Sequence, residues 1–131
     1  MHGHGVVHFE IPAGDPDKLS EFYTKLFDWQ VQKMPMGDDA YYLTSTVETD
    51  ESGMPKQPGI NGGIYRRQSS QDRAINYVNV ESVDEYVAKA KGLGASVLLD
   101  KTPIPGMGYF AQLTDPDGNA FGVFQESAQA A

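Results

Sequence analysis

The sequence predicts an α+β chain built as two βαβββ modules, at about residues 5–67 and 74–126. Three observations carry that reading. The order strand, helix, three strands occurs twice. Each helix carries a single apolar stripe, enough to cover one sheet face and leave the other bare. A shift of 67 residues lays Ile11 on Val78, Asp17 on Asp84 and Leu26 on Leu93, with no gap through the first strand and helix.

Residues 6–11, VVHFEI, set Val7, Phe9 and Ile11 on one face against Val6, His8 and Glu10 on the other. This is a strand with one apolar and one partly polar face. In GDPDKLSEFYTKLF, Asp15 suits a helix N-cap and Pro16 the first turn, and Leu19, Phe22, Tyr23 and Leu26 form the stripe. WQVQKM and YYLTST read as strands joined by a turn of Gly and Asp. Residues 48–59 read as a polar, mobile loop, INGGIYRR as a short strand and QSSQDR as a linker. The second module opens with the strand INYVNV. Ser82-x-x-Glu85 then gives the capping-box spacing for a helix whose stripe is Val83, Tyr86, Val87 and Ala90. Gly92 or Gly94 ends that helix. SVLLD, GYFAQL and NAFGVFQ are the remaining strands. TPIPGMGY reads as a loop near a cavity mouth, DPDGN as a structural turn, and residues 127–131 as a disordered tail.

Eighteen acidic side chains against ten basic ones give a net charge of −8, which disfavours nucleic acid and anionic membranes as partners. The absence of cysteine removes disulfides, thiolate nucleophiles and cysteine-bound zinc. No apolar run has the length of a membrane span, and MHGHGVVHF lacks the layout of a signal peptide, so a cytoplasmic location is expected. Phosphate-binding glycine loops, a nucleophile elbow and a zinc-type His-Glu helix pair are also missing from the sequence.

With one helix per three strands, each module is expected to curl its uncovered face around a cavity. The residues assigned to that lining are His8, Glu10, Asn61, Gly63, Tyr65, Tyr77, Asn79, Gln112, Gly122 and Phe124. Aromatic walls with a few amides suit a small, mostly apolar organic ligand. His8 reads as a partly buried histidine satisfied by a neighbour such as Glu10, with general-base or ligand roles as alternatives. Glu10 is either inside, where desolvation raises its pKa, or wet at a sheet edge. Gly62 and Gly63 shape a pocket wall or mark a bulge. His2 and His4 form an HGH start that could hold a stray ion, or a disordered terminus.

Together VHFEI, SEFYTKLFDW, VESVDEYVAKAKGLGASV and DPDGNAFGVFQ resemble the vicinal oxygen chelate superfamily over nearly the whole chain. That superfamily includes glyoxalase I, extradiol dioxygenases, fosfomycin-resistance enzymes and bleomycin-resistance binding proteins. The resemblance implies curved mixed sheets around a cavity and pairing as a homodimer. In metal-dependent members four inward side chains hold a divalent ion. Carried over by position, the early slots fall on His8 and Ile75, and the late slots on Gly63 and Gly122. Such a set implies a lost chelate, no metal and no other cofactor. Gly122 then widens the cavity or lets a ligand approach the backbone. Three readings follow: a metal-free small-molecule binding protein, a metal-dependent glyoxalase- or dioxygenase-type enzyme, and a metal-independent lyase or isomerase using Glu10 or His8. The first is preferred on the ligand census.

Overall fold

The structure, a computed structural model, describes residues 3–52 and 54–130. Its elements follow the expected order: β1 (Val6–Ala13), α1 (Pro16–Phe27), β2 (Gln30–Met36), β3 (Asp39–Ser45) and β4 (Gly62–Arg66), then β5 (Ile75–Asn79), α2 (Val83–Gly92), β6 (Ser96–Ile104), β7 (Gly108–Thr114) and β8 (Ala120–Glu126). The chain divides into two compact units. The first is His8–Ala74, and the second runs from Ile75 onward together with the residues up to Val7.

Within the first unit the strands lie in the order β2-β3-β4-β1, with β1 parallel to β4 and the rest antiparallel. Within the second they lie in the order β5-β8-β7-β6, with β5 parallel to β8. The registers are equivalent. Glu10 pairs with Gly63 and Ile11 with Ile64 in one unit, while Tyr77 pairs with Gly122 and Val78 with Val123 in the other. Tyr77 lies 67 residues after Glu10, so the sequence shift is also the structural repeat.

Both helices start where their capping residues put them. The Asp15 side chain accepts from the Lys18 N–H at 3.1 Å, and Pro16 occupies the first turn, where a missing N–H leaves no unmet donor. Asp28 ends α1 in the left-handed region at φ 59°. The Ser82 hydroxyl accepts from the Glu85 N–H at 3.1 Å, and Gln125 Oε1 takes up the Val83 N–H at 2.9 Å. Of the two candidate stops for α2, Gly94 supplies the positive φ, 104°.

Leu19 and Tyr23 of α1 pack on Ile11, Ala13, Ala40, Tyr42 and Ile64. The helix turns further than its stripe implies: Phe22 and Leu26 are more than half exposed. Val83, Tyr86, Val87 and Ala90 of α2 pack on Val80, Ala111, Leu113 and Val123 as expected. Ile64, Val83 and Leu113 are fully buried, each contributing about 1.5–3 kcal/mol of apolar transfer. Ser20 sits in the interior with a hydroxyl that has no partner among the described residues. Ser20→Ala removes that orphan and improves helix propensity, so it is expected to raise stability by about 0.5–1 kcal/mol, read as a higher urea midpoint.

Three segments differ from their sequence readings. The TPIP stretch extends β6 to Ile104, so only residues 105–107 turn. Pro103 is tolerated because β6 ends the strand order of its unit and needs no donor on its outer side. Residues 127–130 are held down: the Ser127 N–H donates to Met107 O at 2.8 Å, and Ala130 O accepts from the Gly106 N–H at 3.0 Å. His4 is also anchored, with Nδ1 3.0 Å from Asn79 O and Nε2 2.9 Å from Tyr86 Oη, whereas His2 and Ala131 lie outside the described residues. The 48–59 loop contains a Thr49–Pro55 bridge and a turn in which Asp50 Oδ1 accepts from the Ser52 and Met54 N–H groups. No helix among the described residues is long and apolar enough to cross a membrane.

Candidate functional site

In the first unit, α1 covers the face of Ile11, Ala13, Tyr42 and Ile64. Strand alternation sends His8, Glu10, Tyr41, Gly63 and Tyr65 to the opposite face, where their contacts meet. Tyr41 Oη donates to Glu10 Oε2 at 3.0 Å and lies 2.8 Å from His8 Nε2. A hydroxyl has one proton. With that proton directed at Glu10, the Tyr41 oxygen accepts from His8 Nε2–H, which assigns the imidazole its Nε2–H tautomer. The expected His8–Glu10 contact therefore runs through Tyr41, a residue that sequence reasoning did not select. Its ring also lies nearly parallel to that of His8, 6.5 Å away between centroids. Glu10 is half-buried, between the two alternatives raised for it.

Burial pushes the His8 pKa down to about 4, so the imidazole is neutral at pH 7. Tyr65 is pushed up to about 12, first by burial and then by the Asp72 and Glu10 carboxylates. Asn61 serves the local fold: its Oδ1 accepts from the Thr46 and Val47 N–H groups at 2.7 and 3.2 Å, fixing the chain after β3.

The second unit repeats the theme with different residues. Tyr77, only 3% exposed, stands opposite Gly122, and Gln112 Nε2 donates to its hydroxyl at 2.8 Å. Phe110 meets the Tyr77 ring edge-on, with centroids 6.0 Å apart. Phe124 pairs with Phe110 on one side and Asn79 on the other. The Asn79 backbone, meanwhile, takes part in anchoring the N-terminal segment.

Both glycines therefore have a role other than the expected one. A Cβ on Gly63 would collide with the Tyr41 phenol, and one on Gly122 would collide with the Tyr77 ring. Neither glycine widens a cavity, because each backbone is bare to make room for a tyrosine from the adjacent strand. Gly62 does the same for Phe9 on the helix side. Two open hollows of about 400 Å³ lie elsewhere, one beside Asp84, Lys91 and Lys101 and the other beside Gly14, Lys18 and Phe22. Neither is lined by any residue of the expected site. The DPDGN turn is structural, with Asp115 Oδ1 accepting from the Asp117 and Asn119 N–H groups at 2.9 Å each.

Residues 5–123 match the Glyoxalase/Bleomycin resistance protein/Dioxygenase superfamily. The chain belongs to that superfamily. A protein of Mycobacterium tuberculosis that carries a glyoxylase name, CFP32, is 28% identical over 119 residues, which are 88% of this chain and 43% of the relative. The chain thus spans less than half of that relative. The fosfomycin resistance protein FosX of Listeria innocua is 24% identical over 121 residues, 89% of this chain and 86% of FosX. Among solved structures, a methylmalonyl-CoA epimerase in complex with methylmalonyl-CoA and ammonium superposes with a TM-score of 0.68 at 16% identity, covering 98% of both chains. The methylmalonyl-CoA epimerase of Mycobacterium tuberculosis gives a TM-score of 0.66 at 10% identity, covering 97% of this chain and 93% of the other. At these identities the structural likeness is one of fold.

The donor set does not fit the divalent ion of the metal-dependent branch. Such an ion takes about three or four protein ligands. The positions carried over from that branch hold an imidazole, the Ile75 side chain and two bare backbones. The His8 Nε2 atom is already bonded to Tyr41. Among the described residues no three His, Asp or Glu side chains are gathered where they could hold a metal.

Proposed function

We propose that the chain binds a small organic molecule without a metal, using the faces that its two helices leave uncovered. The observation that carries this reading is the pair of late-slot glycines, each overlaid by a tyrosine whose hydroxyl is held by a polar neighbour. Where a chelating member needs a carboxylate, this chain presents a fixed phenol. Tyr41, Glu10, His8 and Tyr65 would contact the ligand from one unit, and Tyr77, Gln112, Asn79, Phe110 and Phe124 from the other. The part played by Gly63 and Gly122 is to seat the two rings. Homodimeric pairing and a cytoplasmic location belong to the same proposal. Met34 and Met36 on β2 and Leu98 and Leu99 on β6, exposed on the outermost strand of each unit, supply apolar surface for pairing.

One test is a thermal-shift series with small aromatic compounds on protein held in a strong chelator. The proposal expects a melting temperature that rises with ligand concentration and does not change when the chelator is removed. A rise that occurs only after a divalent ion is restored would contradict it.

The bond chain from His8 through Tyr41 to Glu10 favours a second reading, a metal-independent lyase or isomerase. A neutral imidazole bonded to a phenol, which is in turn bonded to a carboxylate, can take a proton from a bound substrate and return it elsewhere. Turnover that Glu10→Gln abolishes while ligand affinity survives would place this reading ahead of the first.

A further inference from the structure

The charges on the uncovered face of the first unit are lopsided. Met34 of β2 pairs with Tyr41, which pairs with Tyr65, and Leu43 pairs with Gly63, which pairs with Glu10. No lysine or arginine alternates onto this face within β1, β2, β3 or β4. Lys33 lies on the helix side, 3.5 Å from Asp17 and over the Tyr42 ring. Arg66 donates to Asp39 at 3.0 Å and to the Gly14 carbonyl. Arg67, just past β4, directs its guanidinium to the Asp72 carbonyl at 2.7 Å. The formal charge at the centre of the face is the Glu10 carboxylate, and the shift of Tyr65 shows that Glu10 and Asp72 act together at its edge.

We propose that this face selects a small aromatic cation, such as an arylalkylammonium, and rejects a carboxylate or phosphate of the same size. The proposal rests on the small-molecule reading above and adds the charge of the ligand to it. A carboxylate has room for more donors than the one Tyr41 supplies. The tyrosine rings offer their negative faces to a cation. Burial strengthens both effects and makes an anion unwelcome for the same reason. The net charge of −8 favours the approach of cations.

The test uses three probes of one shape: 2-naphthylmethylammonium, 2-naphthalenemethanol and 2-naphthoate, titrated calorimetrically into the full chain. The expected order is cation, neutral, anion, with a gap of about tenfold at each step. Glu10→Gln is expected to bring the cation-to-neutral ratio to about one and to leave the neutral probe where it was. The comparison among probes on the unaltered protein stands even if that variant does not fold. Equal binding of all three, or tighter binding of the anion, overturns the inference and leaves the small-molecule reading intact. Failure of all three to bind overturns both.

Discussion

Gly122→Ala is expected to destabilise the protein by about 3 kcal/mol, the upper range for overpacking a well-filled site. The added methyl would occupy the space of the Tyr77 ring. That ring cannot easily give way: it is 3% exposed, bonded through its hydroxyl to Gln112 and packed edge-on against Phe110. For a chain of this size the loss corresponds to a fall of roughly 10 °C in melting temperature. The stronger evidence is a double-mutant cycle. Tyr77→Ala alone leaves a cavity costing about 3–5 kcal/mol. In the double variant the alanine at 122 has space, so the two costs are expected to fall short of adding by about 2 kcal/mol. Gly63 and Tyr41 should behave in the same way. Simple additivity at both sites would mean that the rings do not sit over the glycines.

A second large effect concerns pH. His8 is held down to about 4 by burial, against an ordinary value near 6.5. The folded pKa lies below the unfolded one, so between pH 6.5 and 4 the unfolded chain binds a proton that the folded chain refuses. Stability contributed by the neutral imidazole is therefore complete above about pH 6.5 and is lost as pH falls toward 4. Between pH 7.5 and 5 the loss amounts to about 1–2 kcal/mol, allowing for the partial exposure of the ring. The carboxylates of Asp17, Glu21 and Asp115 have lowered pKa values, so their contributions fade only at more acidic pH. Urea unfolding of the parent chain and of His8→Gln at pH 7.5 and 5 isolates the effect. The variant should lose less stability than the parent over that interval. Equal losses would show that the imidazole is solvated.

What the sequence revealed and what it concealed have separate physical causes. The caps at Asp15 and Ser82, the stop at Gly94, the turn at Asp115 and the alternation of VVHFEI are local, decided within a few residues, and they read correctly. The repeat was also legible, because one shift carries Glu10 to Tyr77 and the registers repeat it. Tyr41 was not. Its neighbour Tyr42 is equally aromatic, and period-two alternation alone does not say which of the two faces α1. The two-residue turn at Gly37 and Asp38, with Gly37 at φ 62°, held part of the answer: it fixes Met36 opposite Asp39 and so Met34 opposite Tyr41. The pairing of β3 with β4 spans the 48–59 loop, and no local rule sets that register. The meaning of Gly63 and Gly122 was hidden for the same reason. A bare backbone reads as open space until the strand beside it is known.

The account turns on tyrosines occupying the positions where a metal-dependent relative would gather donors. The most direct measurement is elemental analysis, with calorimetric titration of zinc, nickel and manganese, on protein purified without a chelating column and dialysed. Substoichiometric metal and no saturable uptake at micromolar concentrations are the predicted result. One tightly held ion per chain, lost on His8→Ala, would contradict it.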